Sequence, residues 1–419
     1  MKKIIFILLL CKFLYGQNSL GWQQLPQITE NVKTLNGLHF FNKDSGWVCG
    51  SYRPSSTFQF AAKTNNAGGT WEQYDDIGNL RILNDITFIN DSVGFILNGW
   101  ILKTIDFGKT WIKVFDDFGA DVKSRIKFYD EKYGWAIGMD ETIVKTSDSG
   151  ETWEYVTIDS LTMQTLGNLS IVDTNIVYVS NFRSIHKTIN SGQTWSVIYK
   201  TTGTFEEFYD VEFTSPKKGW IAGTSRRVLF SEDGGENWVD KSPVLSFDAI
   251  NNLDALDSLT VMAVTSEGAI LRTDDGGENW TEQVPQDVFS YLVDVKMIDS
   301  LTAYAVGFNG TIVKTTNGGV TWLNETQSND IPNSFKLYSP YPNPFNPTTT
   351  IKFEIPKRGF VNIGVYNTIG QKVQTLLSEE INPGVFELVF NASGLASGVY
   401  YISLKSGSFI KSKKILLLR

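Results

Sequence analysis

Lys145-Thr146-Ser147-Asp148-Ser149-Gly150-Glu151-Thr152-Trp153 decides the fold, because the chain spells this pattern seven times. The other copies are KTNNAGGTW (63–71), KTIDFGKTW (103–111), KTINSGQTW (187–195), FSEDGGENW (230–238), RTDDGGENW (272–280) and KTTNGGVTW (314–322). Their closing residues Trp71, Trp111, Trp153, Trp195, Trp238, Trp280 and Trp322 are 40, 42, 42, 43, 42 and 42 residues apart. Thr or Ser stands seven positions before each Trp, and Gly stands three before it. The position five before is Asn66, Asp106, Asp148, Asn190, Asp233, Asp275 or Asn317. These columns describe a hairpin. Asp or Asn accepts backbone N–H bonds in a tight turn. Gly supplies φ > 0 where a Cβ would clash. Thr and Trp suit the flanking strands.

Two more strand-like runs precede each copy. Asp85-Ile86-Thr87-Phe88, Arg125-Ile126-Lys127-Phe128, Asp210-Val211-Glu212-Phe213 and Asp294-Val295-Lys296-Met297 alternate with period two. Gly46-Trp47, Gly94-Phe95, Gly134-Trp135 and Gly219-Trp220 open the second run. With the hairpin strands, each unit holds four strands in about 42 residues, the period of a propeller blade. The pattern predicts an all-β chain in which residues 17–326 form a seven-bladed β-propeller. Trp22-Gln23-Gln24-Leu25 adds a strand at the front, able to close the ring beside the strand at Trp322 or in its place.

The 419 residues include only two His and two Cys. His39 and His186 sit in unrelated settings, which excludes HExxH and three-His zinc sites. Cys11 and Cys49 make no disulfide framework. No cofactor is implied. Net charge is −8, but it is unevenly spread: residues 17–330 carry −17, residues 1–16 carry +3 and residues 331–419 carry +6. The acidic body disfavours nucleic acid as a partner. Met1-Lys2-Lys3, the apolar run Ile4 to Cys11 and the small Gly16 read as a secretory signal peptide over 1–16. The run is too short to span a bilayer, which takes about 20 residues. No transmembrane segment is expected in the mature chain.

Residues 327–334 are polar and turn-rich and read as a linker. Beyond them, alternating runs Thr349–Ile355, Phe360–Tyr366, Lys372–Leu377, Val385–Phe390, Val399–Lys405 and Ser408–Leu418 predict a small Ig-like β-sandwich over 335–419.

The [S/T]-x-[D/N]-x-G-x-[T/N]-W pattern resembles the Asp-box (BNR) repeat, and the unit length with its Gly-Trp strands is similar to the Ycf48/HCF136-like group. That resemblance implies a propeller that binds protein or peptide without catalysis, with the boxes serving the structure. The photosynthetic role is not carried over, because this chain has an export signal and a different appendage. The C-terminal segment resembles the type A sorting domain of the type IX secretion system. The matching motifs are YPNPFNP (341–347, with Tyr341, Pro342, Asn343 and Pro344), VYNTIGQKV (365–373), LASGVYYISL (395–404, with Gly398 and Tyr400) and KSKKILLL (411–418). It implies the secretion machinery as a partner of 335–419 and delivery through the periplasm to the cell surface or extracellular space.

Chemistry has one other candidate location. The inner-strand residues Asp85, Arg125, Asp210 and Asp294, with Lys127 and Glu212 two positions on, are expected to face a central channel as possible ligand groups. Paired carboxylates are the equipment of a glycoside hydrolase, which makes a polysaccharide- or sialoside-cleaving enzyme the alternative reading. A sialidase is disfavoured. Tyr52-Arg53-Pro54 lacks the Ile of the family's Arg-Ile-Pro segment, and Arg81, Arg125, Arg183 and Arg226 fall at different places in their repeats. DDGGEN and EDGGEN lack the ligands of a calcium loop. The sequence thus points to an exported binding module for a protein, peptide or glycan.

Overall fold

The computed structural model describes residues 21–29, 32–52, 59–75, 77, 82–116, 124–138, 142–158, 166–201, 203, 206–243, 246–283, 285, 290–319, 324–325, 332–381, 383–392 and 395–418. The signal peptide, Arg53, Arg81, Trp322 and most of the expected linker lie outside these residues. Apart from one 3-10 turn at Thr224–Arg226, every described element is a strand. The chain divides into two compact units, one built on Gln23–Gly318 and one on Gly319–Asn391 with Ser397–Arg419.

The first unit holds seven four-stranded antiparallel sheets. Sheet 1 is Val32–Phe40, Gly46–Tyr52, Gln59–Thr64 and Glu72–Tyr74. The first strands of sheets 2 to 7 are Asp85–Phe88, Arg125–Phe128, Leu169–Ile171, Phe208–Phe213, Ile250–Ala255 and Leu292–Met297. Each is followed by a second strand that in most sheets opens on the Gly-aromatic pair, and by a third that leads into the box. The fourth strand of sheet 7 comes from the front of the chain: Gln23 lies opposite Lys314, and Gln24 opposite Val313. The question of which end closes the set is thereby answered. Asn324–Glu325, downstream of the last box, pairs instead with Gly384–Asn391 in the second unit. The first strands of neighbouring sheets touch in order, and the seventh touches the first. They form a closed circuit, whose inner side is called the lumen below.

Burial follows from that arrangement. Each strand presents alternate residues to the sheets on either side, so the core lies in the seams between sheets. Trp47 and Cys49 of sheet 1 pack with Ile86, Phe88 and Ile96 of sheet 2. Trp135 and Ile137 of sheet 3 pack with Leu169, Val177 and Val179 of sheet 4. Burying such side chains stabilises by about 1.5–3 kcal/mol each, and every sheet depends on its neighbours to do so.

The second unit has two four-stranded sheets. One orders Asn324–Glu325, Gly384–Asn391, Thr348–Ile355 and Lys336–Leu337; the other orders Lys372–Ile381, Gly359–Tyr366, Gly398–Ser406 and Phe409–Leu417. Ile351, Phe353 and Ile355 alternate with more exposed neighbours and are fully buried. Four residues past its expected end at Leu377, the third long strand stops at Ile381.

Candidate functional site

In the box at 145–153, Thr146 Oγ1 donates to Asp148 Oδ1 at 2.8 Å and accepts from Gly150 N at 3.0 Å. Asp148 also accepts from Thr152 N at 2.9 Å and Thr152 Oγ1 at 2.6 Å. Asn66, Asp106, Asn190, Asp233 and Asp275 accept the equivalent backbone bond at 2.9 Å. Asn317 accepts from Thr315 Oγ1 at 2.9 Å. In Asp106 and Asp148 the bonds hold the carboxyl below its usual range, and the Asn237 amide, its main donor, pulls Asp233 down to about 2.

The Gly column has two causes. Gly150 has φ 72°, and a Cβ there would lie 2.4 Å from Cε1 of Phe95 in the preceding sheet. Gly108 stands in the same relation to Trp47, also at 2.4 Å. The box Trp packs edge-on across the same seam: Trp153 on Phe95 at 6.2 Å, Trp195 on Trp135 at 6.1 Å and Trp280 on Trp220 at 6.4 Å. Trp111 and Trp238 meet Phe88 and Phe213, and Trp71 packs on the cluster between sheets 7 and 1. The Lys that opens the box works forward. Lys103, Lys145 and Lys187 donate to Ser149 O, Ser191 O and Gly234 O of the next sheet at 2.8, 2.9 and 2.8 Å.

The lumen residues also act across seams. Asp85 accepts from Ile86 N of its own strand and from Ile126 N of sheet 3, both at 2.9 Å. Asp210 accepts from Val211 N at 2.8 Å, from Asn168 Nδ2 of sheet 4 at 2.5 Å and from Leu253 N of sheet 6 at 2.6 Å. Asp294 accepts from Val295 N at 3.0 Å and, closing the circuit, from Leu38 N of sheet 1 at 3.3 Å. Two positions on, Asp254 accepts from Met297 N at 2.6 Å and Ser170 Oγ from Phe213 N at 2.8 Å. Gly37, the equivalent in sheet 1, makes room: a Cβ there would sit 2.8 Å from Asp85 Oδ1. At the seam from sheet 3 to sheet 4 the positions hold Arg125 and Lys127, which cannot accept. Lys127 Nζ instead reaches Glu212 of sheet 5 at 2.8 Å.

Burial raises the proton affinity of Asp85, Asp210 and Glu212, opposed by Arg125 or Lys127. Asp294 is pushed up to about 6, chiefly by burial. The half-buried His39 and the buried His186 are lowered to about 4, in both cases mainly by desolvation. Sequence periodicity missed a further feature. Asn36, Tyr209, Asn251 and Val293 are each the extra residue of a β-bulge at one level of the first strands.

In the second unit the 341–347 motif lies along the last strand. Asn343 Nδ2 donates to Lys414 O at 3.0 Å, and its Oδ1 accepts from Leu416 N at 2.8 Å. Buried Phe345 exchanges backbone bonds with Leu416 O and Leu418 N at 3.0 and 2.9 Å. Tyr341 bonds the backbone of Thr350, and Pro342 O accepts from Thr349 Oγ1 at 2.6 Å. Exposed Pro344 links these contacts. Gly398 and Tyr400 lie opposite Leu417 and Ile415 in the same final pair of strands.

The geometry defines an all-β protein with a circuit of four-stranded sheets and a two-sheet second unit. Residues 63–208 match the family described as photosynthesis system II assembly factor YCF48, and residues 339–418 match the secretion system C-terminal sorting domain. The chain thus carries a Ycf48-like domain followed by a sorting domain of the kind that directs type IX export toward the cell surface or extracellular space. It is 28% identical over 165 residues to the chloroplastic photosystem II stability/assembly factor HCF136 of Oryza sativa subsp. japonica, a match covering 36% of this chain and only 39% of that protein. A structure of YCF48 bound to D1 peptide superposes with TM-score 0.58 at 21% identity, covering 72% of this chain and 98% of that one. Virginiamycin B lyase from Staphylococcus aureus superposes with TM-score 0.59 at 11% identity, covering 70% and 98%. At such identities the likeness is one of fold. Among the described residues no helix is long and apolar enough to cross a membrane.

Proposed function

We propose that residues 17–326 form a seven-bladed β-propeller that binds a protein or peptide segment without catalysis, and that residues 335–419, an Ig-like sandwich, deliver it to the cell surface or beyond. The supporting observation is the state of the lumen carboxylates. Both oxygens of Asp85, Asp210 and Asp294 are engaged by N–H donors, and Glu212 is engaged by Lys127. A general acid or base needs an oxygen within reach of substrate. These groups serve as fasteners between sheets, as the box residues serve their own turns. The fold neighbour solved with a bound peptide adds support for peptide over glycan.

Two experiments test this reading. The full mature chain is screened against peptide and glycan arrays, with saturable binding to peptides expected; capture of glycans alone overturns the choice of ligand. Deleting 335–419 is expected to leave the protein in the periplasm, and normal surface display of the truncation contradicts the delivery role.

A further inference from the structure

The box turns and the turns after the first strands share one face of the circuit, as shown by Ser149 N donating to Lys132 O and Ala67 N to Asp44 O. At the opposite mouth of the lumen, four features coincide. The bulges at Asn36, Tyr209, Asn251 and Val293 lie there, and bulges re-aim side chains at the rims of closed sheets. Two aromatic pairs flank them: Phe182 on Tyr209 at 5.2 Å, and Tyr291 stacked on Phe308 at 4.8 Å. The Tyr291 hydroxyl is fixed on Asn251 Oδ1 at 2.8 Å, and Phe308 is 43% exposed. Phe182, in a hairpin at this mouth, holds a left-handed φ of 47°. Strain of that kind concentrates where ligands are held. Just inside, Arg125 interacts electrostatically with three carboxylates, Asp85, Asp210 and Asp294, so this level carries more acid than base. The next level is balanced by two ion pairs, Lys127 with Glu212 and Lys296 with Asp254.

Aromatic rims attract apolar groups and, through their ring faces, cations. An acidic level beneath them selects the cation. We infer that this mouth binds an extended peptide segment in which Arg or Lys is flanked by aromatic or aliphatic residues. The cation lies over Tyr209 and Tyr291 toward the acidic level, and its neighbours pack on Phe182 and Phe308. This rests on the binding-module reading above and gives it a place and a ligand chemistry.

The test uses the full mature chain and two fluorescein-labelled peptides, Gly-Phe-Arg-Phe-Gly and Gly-Phe-Glu-Phe-Gly, followed by anisotropy. The Arg peptide is expected to bind about tenfold or more tightly than the Glu peptide. Phe308→Ala, and separately Tyr209→Ala, are expected to weaken it about tenfold. Phe107→Ala on the box face leaves it unchanged, and thermal melts show that all three variants are folded. Equal affinity for the two peptides overturns the inference, as does an unaltered affinity in folded Phe308→Ala. Loss on Phe107→Ala alone moves the site to the other face, so the inference falls while the binding-module reading stands. Cleavage of the bound peptide overturns the binding-module reading itself.

Discussion

Asp233 and Asp294 belong to the same circuit of sheets and hold their protons in opposite ways. Asp233 is partly exposed at a box turn, where the Asn237 side chain and backbone keep it near 2. Asp294 is half-buried at the lumen, where desolvation lifts it to about 6 despite Arg125 and the Leu38 N–H. The box residue ties together Ser231, Glu236 and Asn237 of its own turn. The lumen residue ties two sheets that are adjacent in space but 256 residues apart in the chain. Local turns can be fixed without removing charge from water. Seams cannot, so their polar fasteners carry a desolvation penalty that the surrounding packing offsets.

The largest effect is expected where both demands meet one residue. Gly150→Val adds a left-handed β-branched residue and drives a Cβ into Phe95, for a loss of about 4 kcal/mol. Calorimetry reads it as a drop in Tm, and an unchanged Tm would detach the box Gly from the seam. Asp210→Ala leaves Leu253 N, Val211 N and the Asn168 amide without their acceptor and is expected to lose about 3 kcal/mol. Asp233→Ala loses less, because water replaces its bonds. Urea denaturation of the two variants side by side breaks the comparison if the order reverses.

Protonation sharpens it. The folded pKa of Asp294 lies above that of an unfolded Asp, about 3.9. Its contribution is therefore most favourable below pH ~4 and is lost as pH rises through about 6. Asp233 behaves oppositely: its contribution is present above the unfolded value and disappears as pH falls toward about 2. Asp294→Asn is expected to gain about 3 kcal/mol relative to the parent between pH 4 and 7, against Arg125, Asp85 and Lys127 as its charged neighbours. Parallel stability curves for the two chains would contradict the assignment. The smallest effect belongs to the second unit. Asn343→Ala removes two bonds to the last strand and is expected to lose about 1 kcal/mol, read by hydrogen exchange at Leu416.

The boxes were legible because each works within nine residues, and seven copies expose its columns. The alternation of Asp85-Ile86-Thr87-Phe88 placed the first strands for the same reason. Ring closure was not legible: Trp22 and Trp322 carry equivalent patterns, and only pairing in space separates them. The lumen residues were named, but their role in the seams was hidden, since Asp85 and Ile126 share no local motif. Phe182, Tyr209, Tyr291 and Phe308 went unread as a group. They lie in bulges and hairpins, outside the alternation that marks strands.

The central claim is that the circuit binds through its surface while its lumen carboxylates hold the sheets. It is tested most directly by incubating the full mature chain with peptides and polysaccharides and recording binding and product release by mass spectrometry in the same samples. Saturable binding with no cleaved product is expected. Release of product that disappears in folded Asp85→Asn or Glu212→Gln would contradict it and make the lumen an active site.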